Sequence, residues 1–183
     1  LAGRHGDGNG MPDAGEQVDV VVAVRNGGGT GAVAVIGTLS TTDPWITITN
    51  PTAAYGAIDP GATVSPATGF GIPIASGCPD QREAAFTLDL GGDGGLLQQQ
   101  HFRLLVRAPE LVHVGHAESE QGGNDDGRPQ TGETVSYTFR VRNVGTGSAH
   151  ALAGPLGNLD GLALVLDSTF TLPDLPAGAE AST

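Results

Sequence analysis

The chain has 183 residues, a formal net charge of −12 and an aromatic content of only 4 %. Its 8 cationic side chains are all Arg, so it lacks the basic face that neutralises phosphates or anionic lipid, which excludes a nucleic-acid partner and a polybasic membrane anchor. No apolar run approaches the roughly 18 residues of a spanning helix, and a single Cys excludes an intrachain disulfide framework and a multi-cysteine zinc site.

The 30 Gly and 12 Pro stay under the share of roughly 25–30 % that signals disorder. With 38 % hydrophobic and 15 % charged residues, they point to many tight turns and a modest core, hence an all-β fold. The start Leu1–His5 has no Met and no apolar signal segment, so a processed protein or a piece of a longer one is expected.

In chain order, Gly6–Glu16 is an acidic, glycine-rich loop. Gln17–Arg25 alternates apolar and other residues with period two, as a half-buried strand does. Asn26–Gly31 is a glycine turn, and Ala32–Leu39 is a second strand. Trp45–Thr49 alternates again, and Tyr55–Ile58 is a short strand ending at the turn Asp59-Pro60-Gly61. Gly69–Ile74 is predicted at a sheet edge, because Pro73 cannot donate to a ladder. Glu83–Leu90 and Gln98–Arg107 form a hairpin around Gly91–Gly95. Ala108-Pro109-Glu110 is a linker, and Leu111–Val114 opens a new set of strands. No helix longer than a turn is expected.

The chain repeats itself. Gly6–Glu16 recurs as Gly123–Glu133, and Val18, Val20, Val22, Val24, Arg25 and Asn26 face Val135, Tyr137, Phe139, Val141, Arg142 and Asn143, all about 117 positions on. Gly29-Thr30-Gly31 matches Gly145-Thr146-Gly147, and Ile58–Ala62 matches Leu175–Ala179. The expectation is two tandem immunoglobulin-like β-sandwich domains, residues 1–108 and 109–183, the second lacking its C-terminal strands. The counterparts of Gly69–Ile74, Glu83–Leu90 and Gln98–Arg107 fall beyond Thr183, and that of Leu111–Val114 falls before Leu1. Either a longer array is interrupted here, or a neighbouring subunit supplies strands by β-augmentation.

The repeated loop gathers oxygens: Asp7, Asn9, Asp13 and Glu16 in the first copy; Asn124, Asp126 and Glu133, with Asp125 alongside, in the second. Met11 and Arg128 sit where a loop carbonyl could ligate. Ca2+ takes six to eight hard oxygens, which a glycine-rich D-x-N pattern closed by a later Glu can aim inward. The Glu precedes a strand rather than a helix, so this is not an EF-hand. A metal-free Asx turn is the alternative, and repetition of the pattern in both copies favours calcium.

The loop Gly6–Glu16, the strand ending Arg25-Asn26, Gly29-Thr30-Gly31 and Asp43-Pro44 resemble bacterial extracellular immunoglobulin-like repeats, among them the cell-adhesion-related domain found in bacteria. Their usual loop reads G-N-G-D-G-x-x-D-P-G-E. The second copy has Gln130 where that family often has Asp, and the first has Asn9 where an acidic residue is usual. The resemblance implies calcium-stabilised spacers, stalks, adhesive arrays or filament-forming units.

Catalytic readings are weak. Cys78 precedes a strand and no motif links it to His101 as a base. His113 and His116 are three apart, which on a strand places them on opposite faces. The glycine run Gly91–Gly95 lacks the lysine of a phosphate loop, and Trp45 suits a sandwich core. The expected role is non-enzymatic: a repeat subunit of an extracellular filament or surface stalk whose partners are copies of itself. The alternatives are an adhesive or carbohydrate-binding module and an accessory domain of a secreted hydrolase.

Overall fold

The computed structural model describes residues 2–5, 8–124, 126–159 and 161–183. Among them the chain is all-β, with antiparallel sheets. No helix is long and apolar enough to cross a membrane. Contacts divide the chain into two compact units, Leu1–Ala108 and Pro109–Thr183.

Unit 1 contains β1 (Ala2–His5), β2 (Gln17–Val20), β3 (Val24–Arg25), β4 (Ala32–Ser40), β5 (Thr52–Ile58), β6 (Thr63–Val64), β7 (Phe70–Pro73), β8 (Arg82–Gly92) and β9 (Gly95–Val106). One sheet runs β1-β2-β7, a second runs β5-β4-β8-β9, and β3 pairs with β6. Alternation decides which residues enter the core. Val18 and Val20 of β2, Phe70 and Ile72 of β7, and Ala84, Phe86, Leu88 and Leu90 of β8 are all buried in one cluster. The two sheets thus enclose a sandwich core, and Phe86 stacks on Phe102 with ring centroids 5.2 Å apart.

Two expected strands are altered. The run Gln17–Arg25 breaks into β2 and β3, with Val21 exposed between them and the Val22 carbonyl accepting the Tyr55 hydroxyl at 2.9 Å. Trp45–Thr49 forms no ladder strand. It makes one bridge at Ile46 and lends the Thr47 and Thr49 N–H groups to the carbonyls of Pro73 and Gly71. Pro73 lies on the edge strand of its three-stranded ladder, as expected of a residue with no N–H. The hairpin closes at Asp93-Gly94, between Gly92 and Gly95.

Unit 2 contains β10 (Leu111–Gly122), β11 (Thr134–Asn143), β12 (Ala153–Pro155), β13 (Thr169–Thr171) and β14 (Glu180–Ser182). Its sheets are β10-β11-β14 and β12-β13. Strand β10 extends well past the expected Val114, because β11 offers it a partner along ten residues.

The repeat holds at the level of single pairings. Ala2↔Asp19 and Gly3↔Val18 in unit 1 correspond to Ser119↔Ser136 and Glu120↔Val135 in unit 2, and the same register shift follows in both. Val24↔Val64 corresponds to Val141↔Ala181, and Ile36↔Ala54 to Ala153↔Thr171. A repeated Asn organises each turn. Asn26 Nδ2 donates to the carbonyls of Thr30 and Ile58, both at 2.9 Å. Asn143 Nδ2 donates to those of Gly147 at 2.8 Å and Leu175 at 2.9 Å. In both copies the Asn Oδ1 accepts from the glycine two residues on.

Candidate metal centre in the acidic loops

The first loop folds because glycine supplies left-handed backbone where side chains cannot: Gly10 has φ 77° and Gly15 has φ 87°. Their counterparts Gly127 and Gly132 have φ 75° and 91°. Asx turns fill the space between. The Met11 N–H donates to Asn9 Oδ1 at 2.6 Å, and the Arg128 N–H donates to Asp126 Oδ1 at 2.9 Å. The closing glutamates act alike: Glu16 Oε2 accepts the Asp13 N–H at 3.1 Å, and Glu133 Oε2 accepts the Gln130 N–H at 2.7 Å. Glu133 Oε1 also takes the Asn124 N–H at 3.2 Å.

The sequence-expected residues Asn9, Met11, Asp13 and Glu16 share one loop, and Asn124, Asp126, Arg128 and Glu133 share the other. Asp7 lies outside the described residues, as does Asp125. Among the described residues no group of three or more His, Cys, Asp or Glu side chains is placed to hold a metal.

The loops differ in one exchange that a search for carboxylates alone passes over. In the first, the Asn9 amide donates to Asp13 Oδ2 at 3.0 Å. In the second, at the same two repeat positions, the Gln130 amide donates to Asp126 Oδ2 at 2.8 Å. Acid and amide have traded places. Two carboxylates in such contact need a cation or a shared proton, whereas an amide and a carboxylate satisfy each other directly. The departures at Asn9 and Gln130 are thus complementary, and aligning the two copies makes the exchange legible.

The loops also differ in burial. Asp13 is 8 % exposed, and its Oδ1 is buried with no hydrogen-bond partner among the described residues. An unmatched carboxylate oxygen is a cost that a hard cation relieves. Its backbone is fixed by Arg107, the residue that follows β9: the Arg107 N–H donates to the Pro12 carbonyl at 2.9 Å, and the Ala14 N–H donates to the Arg107 carbonyl at 2.8 Å. Asp126, Arg128 and Gln130 are exposed, and both oxygens of Asp126 already accept hydrogen bonds. The first loop fits a cation better than the second.

Cys78 is 3 % exposed and joins the core cluster. Burial pushes its thiol pKa up, Asp43 pushes it further, and Arg82 partly opposes them. A raised pKa is the reverse of what activates a nucleophile. His101 Nδ1 instead lies 3.1 Å from Thr87 Oγ1. Trp45 is partly buried against the core.

The expectation for His113 and His116 is corrected. The register of β10 shifts between His113 and Gly115, and this bulge turns both rings to one face. Their centroids are 5.8 Å apart, and they lie 6.0 and 6.2 Å from Phe139. Tyr137 adjoins His116 at 6.0 Å and Phe139 at 6.1 Å. Comparison with models of known protein families gave no match, and comparison with curated proteins gave none either.

Proposed function

We propose that the chain is a non-enzymatic structural repeat of an extracellular bacterial filament or surface stalk. Its modules are immunoglobulin-like, its acidic loops are stiffened by Ca2+, and copies join by strand exchange. One observation carries the reading. The β11 positions that correspond to the buried Val18 and Val20 are Val135 and Tyr137, and Tyr137 is 41 % exposed. Core-type residues on an exposed sheet face, beside an edge that no described strand pairs with, suit a unit completed by a further strand.

Bound Ca2+ would let loop oxygens converge without mutual repulsion. In the first loop Asp13 would hold it through Oδ1, with Asn9, Glu16, the Met11 carbonyl and Asp7. In the second, Asp126, Asn124, Glu133 and the Arg128 carbonyl would do so more weakly, since Gln130 replaces a charge.

Electron microscopy of the purified protein tests assembly. Fibres or end-to-end chains are expected, and monodisperse monomers at every concentration would overturn the filament reading. Thermal unfolding with and without chelator tests the metal. A lower midpoint in chelator is expected, and coincident curves would remove calcium from the account.

A further inference from the structure

The chain holds two Asn-Gly pairs, Asn9-Gly10 and Asn26-Gly27. Such a pair invites a reaction within the backbone, because glycine puts no side chain between its own amide nitrogen and the Asn Cγ. The nitrogen attacks Cγ, the new N–Cγ bond closes a cyclic imide, and the Cγ–Nδ2 bond breaks. The proton from the glycine nitrogen leaves with Nδ2 as ammonia. Water then opens the imide, at the new bond to give aspartate or at the old main-chain bond to give isoaspartate. Either product carries a carboxylate where the amide stood.

The two pairs are not equally placed for this. Asn9 is exposed, and a Cβ built on Gly10 would meet nothing within 4 Å, so the pair is open to water. The Gly10 N–H has no hydrogen-bond partner among the described residues, which leaves the nucleophile uncommitted. The Met11 N–H, 2.6 Å from Asn9 Oδ1, closes an Asx turn whose ring contains both Cγ and the Gly10 nitrogen. It also points at the oxygen on which charge develops as Cγ becomes tetrahedral. Asn26 has more to lose. Its Nδ2 donates to the Thr30 and Ile58 carbonyls, both at 2.9 Å, so departure of that nitrogen strands two backbone acceptors.

We propose that Asn9 is a deamidation site, and that its conversion switches the first loop irreversibly from a turn that closes without metal to one that requires a cation. The conversion stands alone, while its consequence rests on the calcium reading above. As encoded, the Asn9 amide donates to Asp13 Oδ2 at 3.0 Å, and the two groups satisfy each other. Once Asn9 is an acid, two carboxylates meet, and Asp13 Oδ1 is already buried with no hydrogen-bond partner among the described residues. A hard cation relieves both costs. The second loop carries Asp126-Gly127 at the repeat positions of Asn9-Gly10, so an acid fits this place in the turn. There the Gln130 amide satisfies it at 2.8 Å, a donor that Asp13 cannot replace. The converted first loop therefore has acids at both positions, which neither loop has as encoded.

The test is to hold the full chain at mildly alkaline pH, follow the amide-to-acid mass gain by peptide mapping, and melt fresh and aged protein in Ca2+ and in chelator. Asn9 is expected to convert about tenfold or more ahead of Asn26. Aged chain should melt lower than fresh chain in chelator, and Ca2+ should raise the aged midpoint by more than the fresh one. Asn9→Asp should show the larger calcium shift without ageing, and Asn9→Gln should stay an amide at this position. An Asn9 still intact when a free peptide of residues 8–16 has converted would overturn the proposal, as would conversion of Asn26 at the same rate. Equal calcium shifts in fresh, aged and Asn9→Asp chains would overturn the switch. No calcium shift in any of them, with Asn9 converted, would sink the calcium reading and the switch with it while the deamidation site stands, so the failures are separable.

Discussion

Unit 1 and unit 2 use the same strand register and the same turn asparagine, yet they are held together differently. Unit 1 closes two sheets over one apolar cluster that includes Phe70, Phe86, Leu39 and Ile72. Unit 2 buries few apolar side chains, Ala149, Leu172 and Leu175 among them, while Leu159, Leu162, Leu164 and Leu166 stand in solvent. Its most buried large side chain is polar: Asn143 is 0 % exposed and ties Gly147, Leu175, Gly145 and Glu110 together. Over the stretch the two units share, backbone pairing is reproduced, while the core of unit 1 draws on β7, β8 and β9, whose repeat positions lie beyond residue 183. The hydrogen-bond ladder fixes register, and apolar burial supplies most of the stability.

The contrast can be broken first at the aromatics. Phe86→Ala should cost unit 1 about 3–5 kcal/mol, because the cavity it leaves is fully enclosed. Phe139→Ala, on the half-open face of unit 2, should cost about 1 kcal/mol or less. Denaturant unfolding followed by probes in each unit reads both. Equal losses would mean that unit 2 has a closed core.

The order should invert at the turn asparagine. Asn143→Ala strands several buried backbone groups and should cost about 2–4 kcal/mol. Asn26→Ala, at a partly exposed position, should cost about half as much. The same unfolding curves check this, and a larger loss at Asn26 would undo the view that unit 2 depends on its polar centre.

The loops sharpen the comparison further. Asn9→Asp sets a second carboxylate against Asp13, removes an amide hydrogen bond and should cost about 1–3 kcal/mol in chelator. Calcium should restore much of that loss. Gln130→Asp, in the exposed second loop, should show the same pattern with a smaller amplitude. Thermal melts with and without Ca2+ measure both, and a penalty untouched by calcium would speak against a cation between these positions.

The smallest effect belongs to unit 2 alone. Hydrogen bonds from His150 at 2.9 Å and from the Ala151 N–H at 3.2 Å hold the Asp174 carboxyl below its ordinary pKa. The folded value lies below the unfolded one. The stabilisation is therefore present above the ordinary carboxylate range and is lost as pH falls through it. Since Asp174 is exposed, the effect should be slight. Asp174→Asn should flatten the acid side of the stability profile a little, and an unchanged profile would show that solvent screens the contact.

Much of the fold was legible because period-two alternation is a local signal. Gln17–Val20 is a strand where the alternation places it, Ala32–Leu39 where small and β-branched residues do, and Glu83–Leu90 and Gln98–Val106 flank the glycine run as a hairpin. The misses share one cause. Trp45–Thr49 alternates, yet it meets β7 through single bonds rather than a ladder. Gln17–Arg25 alternates throughout, yet splits between two sheets. Alternation reports that one face is buried, and it is silent on which strand lies beside it. The oxygens of the acidic loops were legible by type and spacing. The exchange of acid and amide between Asn9–Asp13 and Asp126–Gln130 was written in the sequence too, but its meaning needed the contact distances.

By itself, then, the sequence determined the all-β class, the repeat at about 117 residues and the turns, because glycine, proline, asparagine and alternating apolar side chains act on the backbone next to them. Only the tertiary structure decided what distant residues do to each other. It put His113 and His116 on one face through a bulge, drew Cys78 into the core, and left Asp13 Oδ1 buried without a partner among the described residues. These outcomes depend on which strand sits opposite which, and no single stretch of chain carries that information.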